Sequence, residues 1–156
     1  MQASFDTFGL SPPLLRAIKS RGYEIPTPIQ KDAIPLILDG KDVLGCAQTG
    51  TGKTAAFALP AIEQLLDEET NRHHKLSVLV LSPTRELAVQ INDCFEDYSK
   101  HTNVRQTVIH GGVGAHPQIQ RIRRGMDIVV ATPGRLLDLH GQNHIDLSTC
   151  LLYTSP

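Results

Sequence analysis

Short, strongly apolar segments alternate with helical segments along this 156-residue chain, and this alternation limits the fold more than any other feature. Four segments are rich in Val, Ile and Leu and have the length of strands: 42–46, 77–82, 106–110 and 127–131. Near-continuous apolar runs are typical of strands that are buried on both faces of a parallel sheet. The sequence therefore predicts an α/β fold with a doubly wound, mainly parallel sheet.

Helices are predicted between these strands from proline positions, capping residues and apolar periodicity. Ser11 precedes two prolines and is expected to be an N-cap, and Thr27 with Pro28 begins a second helix. The polar stretch 68–75 is predicted to be a loop in which His73 and His74 face solvent rather than a metal. The predicted helices cover residues 11–20, 27–38, 53–67, 84–99 and 117–124.

One segment between a predicted strand and a predicted helix has the composition of a phosphate-binding loop. It reads Ala47-Gln48-Thr49-Gly50-Thr51-Gly52-Lys53-Thr54. Backbone N–H groups of such a loop point at a phosphate chain, and the positive end of the helix dipole adds to them. Lys53 can reach the outer phosphates, and the Thr54 hydroxyl can bind Mg²⁺. The general pattern begins with Gly, where this chain has Ala47, but the flanking elements still predict a nucleoside triphosphate site.

The turns after the other three strands carry glycines, hydroxyl groups and cations, and they are predicted to lie along one rim of the sheet. Taken singly, each turn is better explained as a helix cap or a tight turn. Because they follow strands on the same rim as a phosphate loop, these turns together favour binding of a sugar–phosphate backbone. The residues are Pro83, Thr84, Arg85, Gly111, Gly112, Thr132, Pro133, Gly134 and Arg135.

Two residues upstream of the phosphate loop, Tyr23 and Gln30, have side chains that can recognise a base. A Gln amide presents a donor and an acceptor side by side, which pairs with N6 and N7 of adenine. Tyr23 can stack on the ring. The alternative is that Tyr23 fills the core while Gln30 faces solvent from a helix.

Composition narrows the function classes further. The chain is 40% hydrophobic and 20% charged with a net charge of −1, so any contact with nucleic acid must come from local geometry rather than bulk charge. No apolar run reaches membrane-spanning length, and the N-terminus lacks the features of a signal peptide. Three cysteines without paired spacing fit a reducing cytoplasm, with Cys46 and Cys94 as small apolar residues of the core.

Taken together, these segments resemble the first RecA-like domain of the DEAD-box ATP-dependent RNA helicases. Phe5, Tyr23 and residues 26–30 match the family's Q motif with its upstream aromatic residue. Residues 47–54 match motif I, which begins with Ala in that family as well. The remaining motifs are motif Ia at 83–88, the GG doublet at 111–112 and motif Ib at 132–135. The sequence of residues 9–12 and 33–35 is most similar to that of the bacterial RhlE-like branch.

The resemblance implies an ATP site in which Phe5, Tyr23 and Gln30 hold the adenine. Motif I would hold the phosphates and Mg²⁺, with Lys53 and Thr54 as catalytic residues. Motifs Ia, GG and Ib would hold single-stranded RNA by its backbone, with little sequence specificity. The implied activity is RNA-stimulated ATP hydrolysis coupled to local unwinding of RNA duplexes, in the cytoplasm and without a membrane. A DNA helicase or another P-loop ATPase is disfavoured by the Q motif, and no protein partner is indicated.

The chain departs from the family pattern near its end. The family's next strand carries an Asp-Glu-Ala-Asp motif, and a second RecA-like domain supplies an arginine finger that phosphoryl transfer needs. Residues 150–156 match neither and are interpreted as the non-native tail of a truncated reading frame. They would follow an N-terminal segment with the Q motif at 1–31 and a partial RecA-like domain at 32–149. Such a fragment is expected to be inactive, so the alternative function is non-catalytic binding of ATP or RNA.

The same departure predicts an unstable sheet. In the family, two strands lie between the motif I strand and the motif Ia strand. Without them, both strands would expose unpaired N–H and C=O groups along one edge. The 156-residue chain is therefore expected to be poorly stable and prone to aggregate.

Overall fold

The computed structural model describes residues 4–67 and 74–154, which form two compact units. The first unit combines the chain up to residue 69 with residues 96–103. The second unit combines residues 70–95 with the chain from residue 104 onward. Most of the predicted loop at 68–75, including His73, lies outside the described residues.

The described residues of the first unit form helices and no strand. A 3₁₀ helix at Phe5–Phe8 is followed by α1 (Pro12–Ser20), α2 (Pro28–Leu38) and α3 (Lys53–Asp67). The end of α4 (Arg85–Ser99) also belongs to this unit. The helix boundaries agree with those expected from the sequence to within about two residues, the usual uncertainty of helix ends. Apolar residues at helical spacing form the core, including Leu14, Ile18, Ile34, Leu59 and Ile62.

Ser11 occupies the N-cap position of α1, as expected, but its side chain does not cap the helix. Its backbone N–H and its hydroxyl both donate to the Glu63 carboxylate, each at 2.9 Å. Glu63 is buried, and a carboxylate at the start of a helix is favoured by the helix dipole. This pair of bonds ties the start of α1 to α3.

The second unit contains a parallel sheet, with four strands among the described residues. The strands are β1 (Val78–Leu81), β2 (Gln106–Ile109), β3 (Ile128–Ala131) and β4 (Leu151–Thr154), in the order β2-β3-β1-β4. The unit also contains the start of α4, α5 (Ala115–Arg123) and α6 (Pro133–Gly141). This arrangement confirms the α/β class and the parallel sheet expected from the sequence.

The register of the sheet aligns apolar side chains into one continuous face. Leu79 pairs with Val129, and both Leu81 and Ile109 pair with Ala131. Because successive strand residues point to opposite faces, these side chains share one face. They form one cluster with residues of α5 and α6, among them Leu136 and Leu139. The cluster fixes the turns at the carboxyl ends of β2 and β3.

The predicted strand at 42–46 is wrong in this structure. These residues are irregular and exposed, and the Leu44 side chain has 95% of its surface open to solvent. Cys46 is exposed as well, so its expected place in the core is also wrong, whereas Cys94 is half-buried. The physical reason is pairing: a strand needs a hydrogen-bonded neighbour, and no described strand pairs with 42–46.

The expectation of an unpaired edge on the motif Ia strand is also wrong. β1 is paired on both sides, with β3 and with β4. Residues 151–154, which the sequence assigns to a non-native tail, form β4 in parallel register from Val78↔Leu151 to Leu81↔Thr154. Leu151 and Leu152 nevertheless remain exposed, so β4 supplies backbone bonds to β1 and buries little apolar surface.

Candidate functional site

Two glycines of the loop at 47–54 have backbone conformations that leave room for a ligand to approach the chain closely. Gly50 and Gly52 have φ angles of 79° and 80°, in the left-handed region that favours glycine. Helix α3 begins at Lys53, so the N–H groups of its first turn have no partner within the helix. The Thr51 hydroxyl closes the loop by donating to the Gln48 carbonyl at 2.6 Å. These residues fit a triphosphate, and Thr54 at the second helical position fits a role in binding Mg²⁺.

Gln30 is a buried residue that joins the Q motif to the phosphate loop. Its side chain is 3% exposed, so the alternative of a solvent-facing Gln30 is wrong. The Oε1 atom accepts from the Thr27 N–H at 3.0 Å, and Nε2 donates to the Gly52 carbonyl at 3.2 Å. An amide can make four hydrogen bonds, so each end keeps one for a base.

The bond from Gln30 to Gly52 does not follow from the sequence, because nothing in the spacing of residues 30 and 52 indicates contact. The structure also shows why residue 52 has no side chain: a Cβ atom there would collide with Nε2 of Gln30. The glycine therefore serves two needs, a positive φ and room for the amide.

Tyr23 lies in a cluster with Arg21 and Tyr98, all within the first unit. The Arg21 guanidinium carbon lies 5.5 Å from the Tyr23 ring centroid and 5.2 Å from that of Tyr98. The same guanidinium pairs with the Asp97 carboxylate. Tyr23 is half-buried, so it is neither a pure core residue nor a free ring. Its ring contacts Arg21, a residue that no sequence motif singles out, and its hydroxyl lies 3.5 Å from that of Tyr98.

Phe5 is placed differently from the other expected adenine contacts. Its side chain is buried, and its ring packs edge-to-face on Phe8 with centroids 6.0 Å apart. This packing orders the N-terminal segment, and the contribution of Phe5 to nucleotide binding stays a prediction.

In the second unit, motif Ia and the GG doublet are in direct contact. Gly112 has a φ of 80°, and a Cβ atom there would collide with the Arg85 guanidinium. Arg85 is exposed and has a loose ion pair with Glu86, with Nε 3.6 Å from Oε1. The structure thus brings together two of the turns that the sequence places on one rim.

The two threonines of the rim lie at helix starts, as the simpler interpretation of each turn predicts. The Thr84 hydroxyl accepts from the Leu87 N–H at 3.2 Å and so caps α4. Thr132 is the N-cap residue of α6, and its side chain makes no capping bond. Its backbone N–H donates to the Ile109 carbonyl at 3.1 Å, which connects the ends of β2 and β3. The first turn of α6 follows with Pro133, Gly134 and Arg135.

Arg135 of motif Ib is held by the protein on several sides. One terminal nitrogen donates to Oε1 of Gln118 at 3.1 Å, and the other donates to the Val113 carbonyl at 3.0 Å. Nε lies 3.9 Å from the Asp138 carboxylate. Motif Ib is thereby tied to the turn that carries Gly111 and Gly112.

His74 does not face solvent as expected. Its Nδ1 lies 3.1 Å from Oδ2 of Asp127, a fully buried carboxylate. The same oxygen accepts from the Arg105 N–H at 2.8 Å. Within the described residues, no group of three or more His, Cys, Asp or Glu side chains is arranged to hold a metal ion.

Comparisons with known proteins identify the family of the chain. The model of the DEAD/DEAH box helicase family matches residues 27–152, and the chain belongs to that family. It is 46% identical over 147 residues to the ATP-dependent RNA helicase dbp10 of Schizosaccharomyces pombe. It is 47% identical over 148 residues to the ATP-dependent RNA helicase DeaD of Escherichia coli K12.

These relatives are much longer than the chain. The two alignments cover 94% of this chain but 17% of the dbp10 protein and 23% of DeaD. An alignment with the ATP-dependent RNA helicase CshA of Limosilactobacillus reuteri covers 86% of this chain and 26% of that protein. Among the described residues, no helix has the length and apolarity needed to cross a membrane.

Proposed function

We propose that this chain carries the nucleotide site and part of the RNA-binding surface of an ATP-dependent RNA helicase of the DEAD-box type. The complete protein would hydrolyse ATP in response to RNA and open short RNA duplexes. The proposal is supported by the family match and by relatives that are named ATP-dependent RNA helicases. Cytoplasmic location and the RhlE-like branch are parts of the same proposal.

The observation that carries the proposal is the buried hydrogen bond from Gln30 to the Gly52 carbonyl. It joins a side chain suited to adenine to the loop suited to phosphates. Its presence favours ATP over other triphosphates, with Tyr23 stacked on the base and Gln30 at its edge.

In this proposal, Lys53 and the first-turn N–H groups of α3 hold the outer phosphates, and the Thr54 hydroxyl ligates Mg²⁺. Bound Mg²⁺ would neutralise charge on the transferred phosphate. Motif Ia, the GG doublet and the start of α6 would hold the RNA backbone through N–H groups, hydroxyls and Arg85. Backbone contacts of this kind carry little sequence information.

The proposal is tested with the Lys53→Ala variant of the full-length protein. RNA-stimulated ATP hydrolysis is expected to be abolished, because Lys53 would contact the phosphates that change charge during the reaction. Lys41→Ala is the matched control, since Lys41 is exposed and pairs with the Asp39 carboxylate at 3.1 Å. Retained turnover in Lys53→Ala would remove the loop from the mechanism.

A second candidate function is non-catalytic binding of ATP or RNA by the 156-residue chain itself. It is favoured by the sequence of residues 147–156, which include β4. These residues contain no acidic side chain that could position Mg²⁺ and water. The chain is expected to bind a fluorescent ATP analogue without hydrolysing ATP, whereas the full-length protein hydrolyses it. RNA-stimulated turnover by the 156-residue chain would refute this second function.

A further inference from the structure

Arg135 and Arg85 are both expected to contact RNA, but their surroundings differ. The Arg85 side chain is 52% exposed, and its ion pair with Glu86 is loose. The Arg135 side chain is 13% exposed and donates to Gln118 and to the Val113 carbonyl. A guanidinium committed in this way offers little of its surface to a phosphate.

The partner of Arg135 is itself buried. Gln118 is 2% exposed, and its Nε2 donates to the His110 carbonyl at 3.1 Å while its Oε1 accepts from Arg135. A buried amide is costly to leave unpaired, so both bonds are strongly preferred. Gln118 therefore fixes where the Arg135 side chain lies.

These bonds form a chain around the GG doublet. His110 precedes Gly111, and Val113 follows Gly112, so both ends of the glycine pair are held through their carbonyls. The glycines themselves are exposed, and Gly112 has a φ of 80°. Two exposed glycines would be mobile without anchors, because glycine has the largest backbone freedom of any residue.

We propose that Gln118 and Arg135 are positioning residues that fix the GG turn against the first turn of α6. At this place the RNA phosphates are contacted by backbone N–H groups and by Arg85, and not by the Arg135 guanidinium. This inference rests on the proposed function, because it concerns the RNA-binding surface. It corrects the role that the family resemblance implies for Arg135.

The test is the salt dependence of RNA binding, which counts phosphate contacts. Each cation that neutralises a phosphate of a single strand contributes about 0.7 to the slope of log affinity against log salt. Binding of a fluorescent single-stranded oligouridine to the full-length protein is measured by anisotropy over a series of salt concentrations. Arg85→Met is expected to lower the slope by about 0.7.

Arg135→Met is expected to weaken binding about tenfold, as loss of a preorganised charged hydrogen bond does, and to leave the slope unchanged. Arg135→Lys is expected to lose as much RNA affinity. An ammonium keeps the charge but cannot replace the planar guanidinium, which donates to two acceptors in different directions. A lowered slope in Arg135→Met, with affinity kept in Arg135→Lys, would overturn the inference. Arg123→Met, an exposed cation of α5, is the control for charge alone.

Gln118→Leu keeps the charge of Arg135 and removes its partner. It is expected to weaken binding as much as Arg135→Met, and the double variant is expected to be no weaker than either, because both break one chain of bonds. Gln118→Leu takes the place of Arg135→Met if that variant loses its native circular dichroism. Additive losses would overturn the coupling, whereas a wild-type protein that binds no RNA at any salt would overturn the proposed function itself.

Discussion

The phosphate loop and the GG turn are both glycine turns, yet their supports differ. The GG turn follows a strand paired in the sheet, and side chains from α5 and α6 hold it at both ends. The phosphate loop follows residues 42–46, which are irregular and exposed. Its side-chain anchor is Gln30, which bonds to the loop at the end where α3 begins.

The two turns differ in how many neighbouring elements hold them in place. A turn between a strand and a helix is placed by both elements, and the strand exists only when a neighbour pairs with it. β2 and β3 pair with each other, so their turns are placed from both sides. The phosphate loop is held in place by α3 and Gln30. Its anion-binding groups are therefore ordered, although the residues that precede it, 42–46, are irregular.

The largest expected effect comes from removing the deepest polar anchor of the second unit. Asp127→Ala leaves the Arg105 N–H and the His74 ring without their buried carboxylate partner. We expect the free energy of unfolding to fall by about 3 kcal/mol, because a fully buried carboxylate that holds two partly buried donors is lost. Urea unfolding followed by circular dichroism measures this change.

The matched control for that experiment is Asp138→Ala. Asp138 has an exposed side chain, and its carboxylate lies 3.9 Å from Nε of Arg135. A surface ion pair of this kind contributes at most about 1 kcal/mol. If both variants lost the same free energy of unfolding, the buried Asp127 carboxylate would contribute no more to stability than an exposed one.

A single substitution can remove the side-chain support of the phosphate loop. Gly52→Ala must adopt a φ near 80° and would push its Cβ into the Gln30 amide. We expect affinity for a fluorescent ATP analogue to fall about 30-fold, or about 2 kcal/mol, since a left-handed conformation alone costs about 1–2 kcal/mol in a residue other than glycine.

Gly141→Ala is the control for Gly52→Ala. A Cβ atom at Gly141 would meet no neighbouring atom of the described structure within 4 Å, and the φ of this glycine lies outside the left-handed region. Its nucleotide affinity is expected to equal that of the wild type. Unchanged affinity in Gly52→Ala would show that the Gln30 bond does not organise the loop.

Much of this architecture can be predicted from the sequence, because the signals are local. Proline and capping residues locate α2, and the run of Val and Leu at 78–81 locates β1. The phosphate loop is recognised from its own eight residues, 47–54. Each of these features depends on neighbours in the sequence, which is the information that a pattern contains.

The features that cannot be predicted all depend on residues that are distant in sequence. The apolar run at 42–46 has the pattern of a strand, but a strand requires a partner that no pattern in that run can supply. Gln30 is 22 residues from Gly52, and Gln118 is 17 residues from Arg135, so neither contact follows from helical or strand spacing. The prediction that His74 faces solvent is wrong because its partner Asp127 is 53 residues away.

A smaller effect is expected at the base-recognition end of the nucleotide site. Arg21→Met removes the cation that lies over the Tyr23 and Tyr98 rings and pairs with Asp97. We expect affinity for the ATP analogue to fall about fivefold, because an exposed or half-buried cation–π contact contributes about 1 kcal/mol. Inorganic triphosphate, which has no base, should bind both proteins equally.

Lys19→Met is the control for Arg21→Met, since Lys19 is an exposed cation on the last turn of α1. It is expected to change neither affinity. If Arg21→Met weakened triphosphate binding as well, Arg21 would act on the whole site and not through Tyr23.

The smallest effect is expected in the reactivity of the cysteines, which reports whether residues 42–46 are exposed. Cys46 is exposed, whereas Cys150 is half-buried beside β4. Burial, with a smaller contribution from the Asp146 carboxylate, raises the pKa of the Cys150 thiol. A raised pKa leaves less of the reactive thiolate at a given pH, so Cys150 is expected to react more slowly with iodoacetamide at mildly alkaline pH.

In the 156-residue chain, mass spectrometry of alkylated peptides should therefore show Cys46 reacting several times faster than Cys150. In the full-length protein the rate of Cys46 relative to Cys94 should fall, because the strands that the family resemblance places beside 42–46 would pair with it and bury Cys46. Cys94, half-buried on α4, provides the internal reference in both proteins. If the rate of Cys46 relative to Cys94 were unchanged at full length, residues 42–46 would be exposed in the complete protein too, and the phosphate loop would depend on Gln30 and α3 for its position.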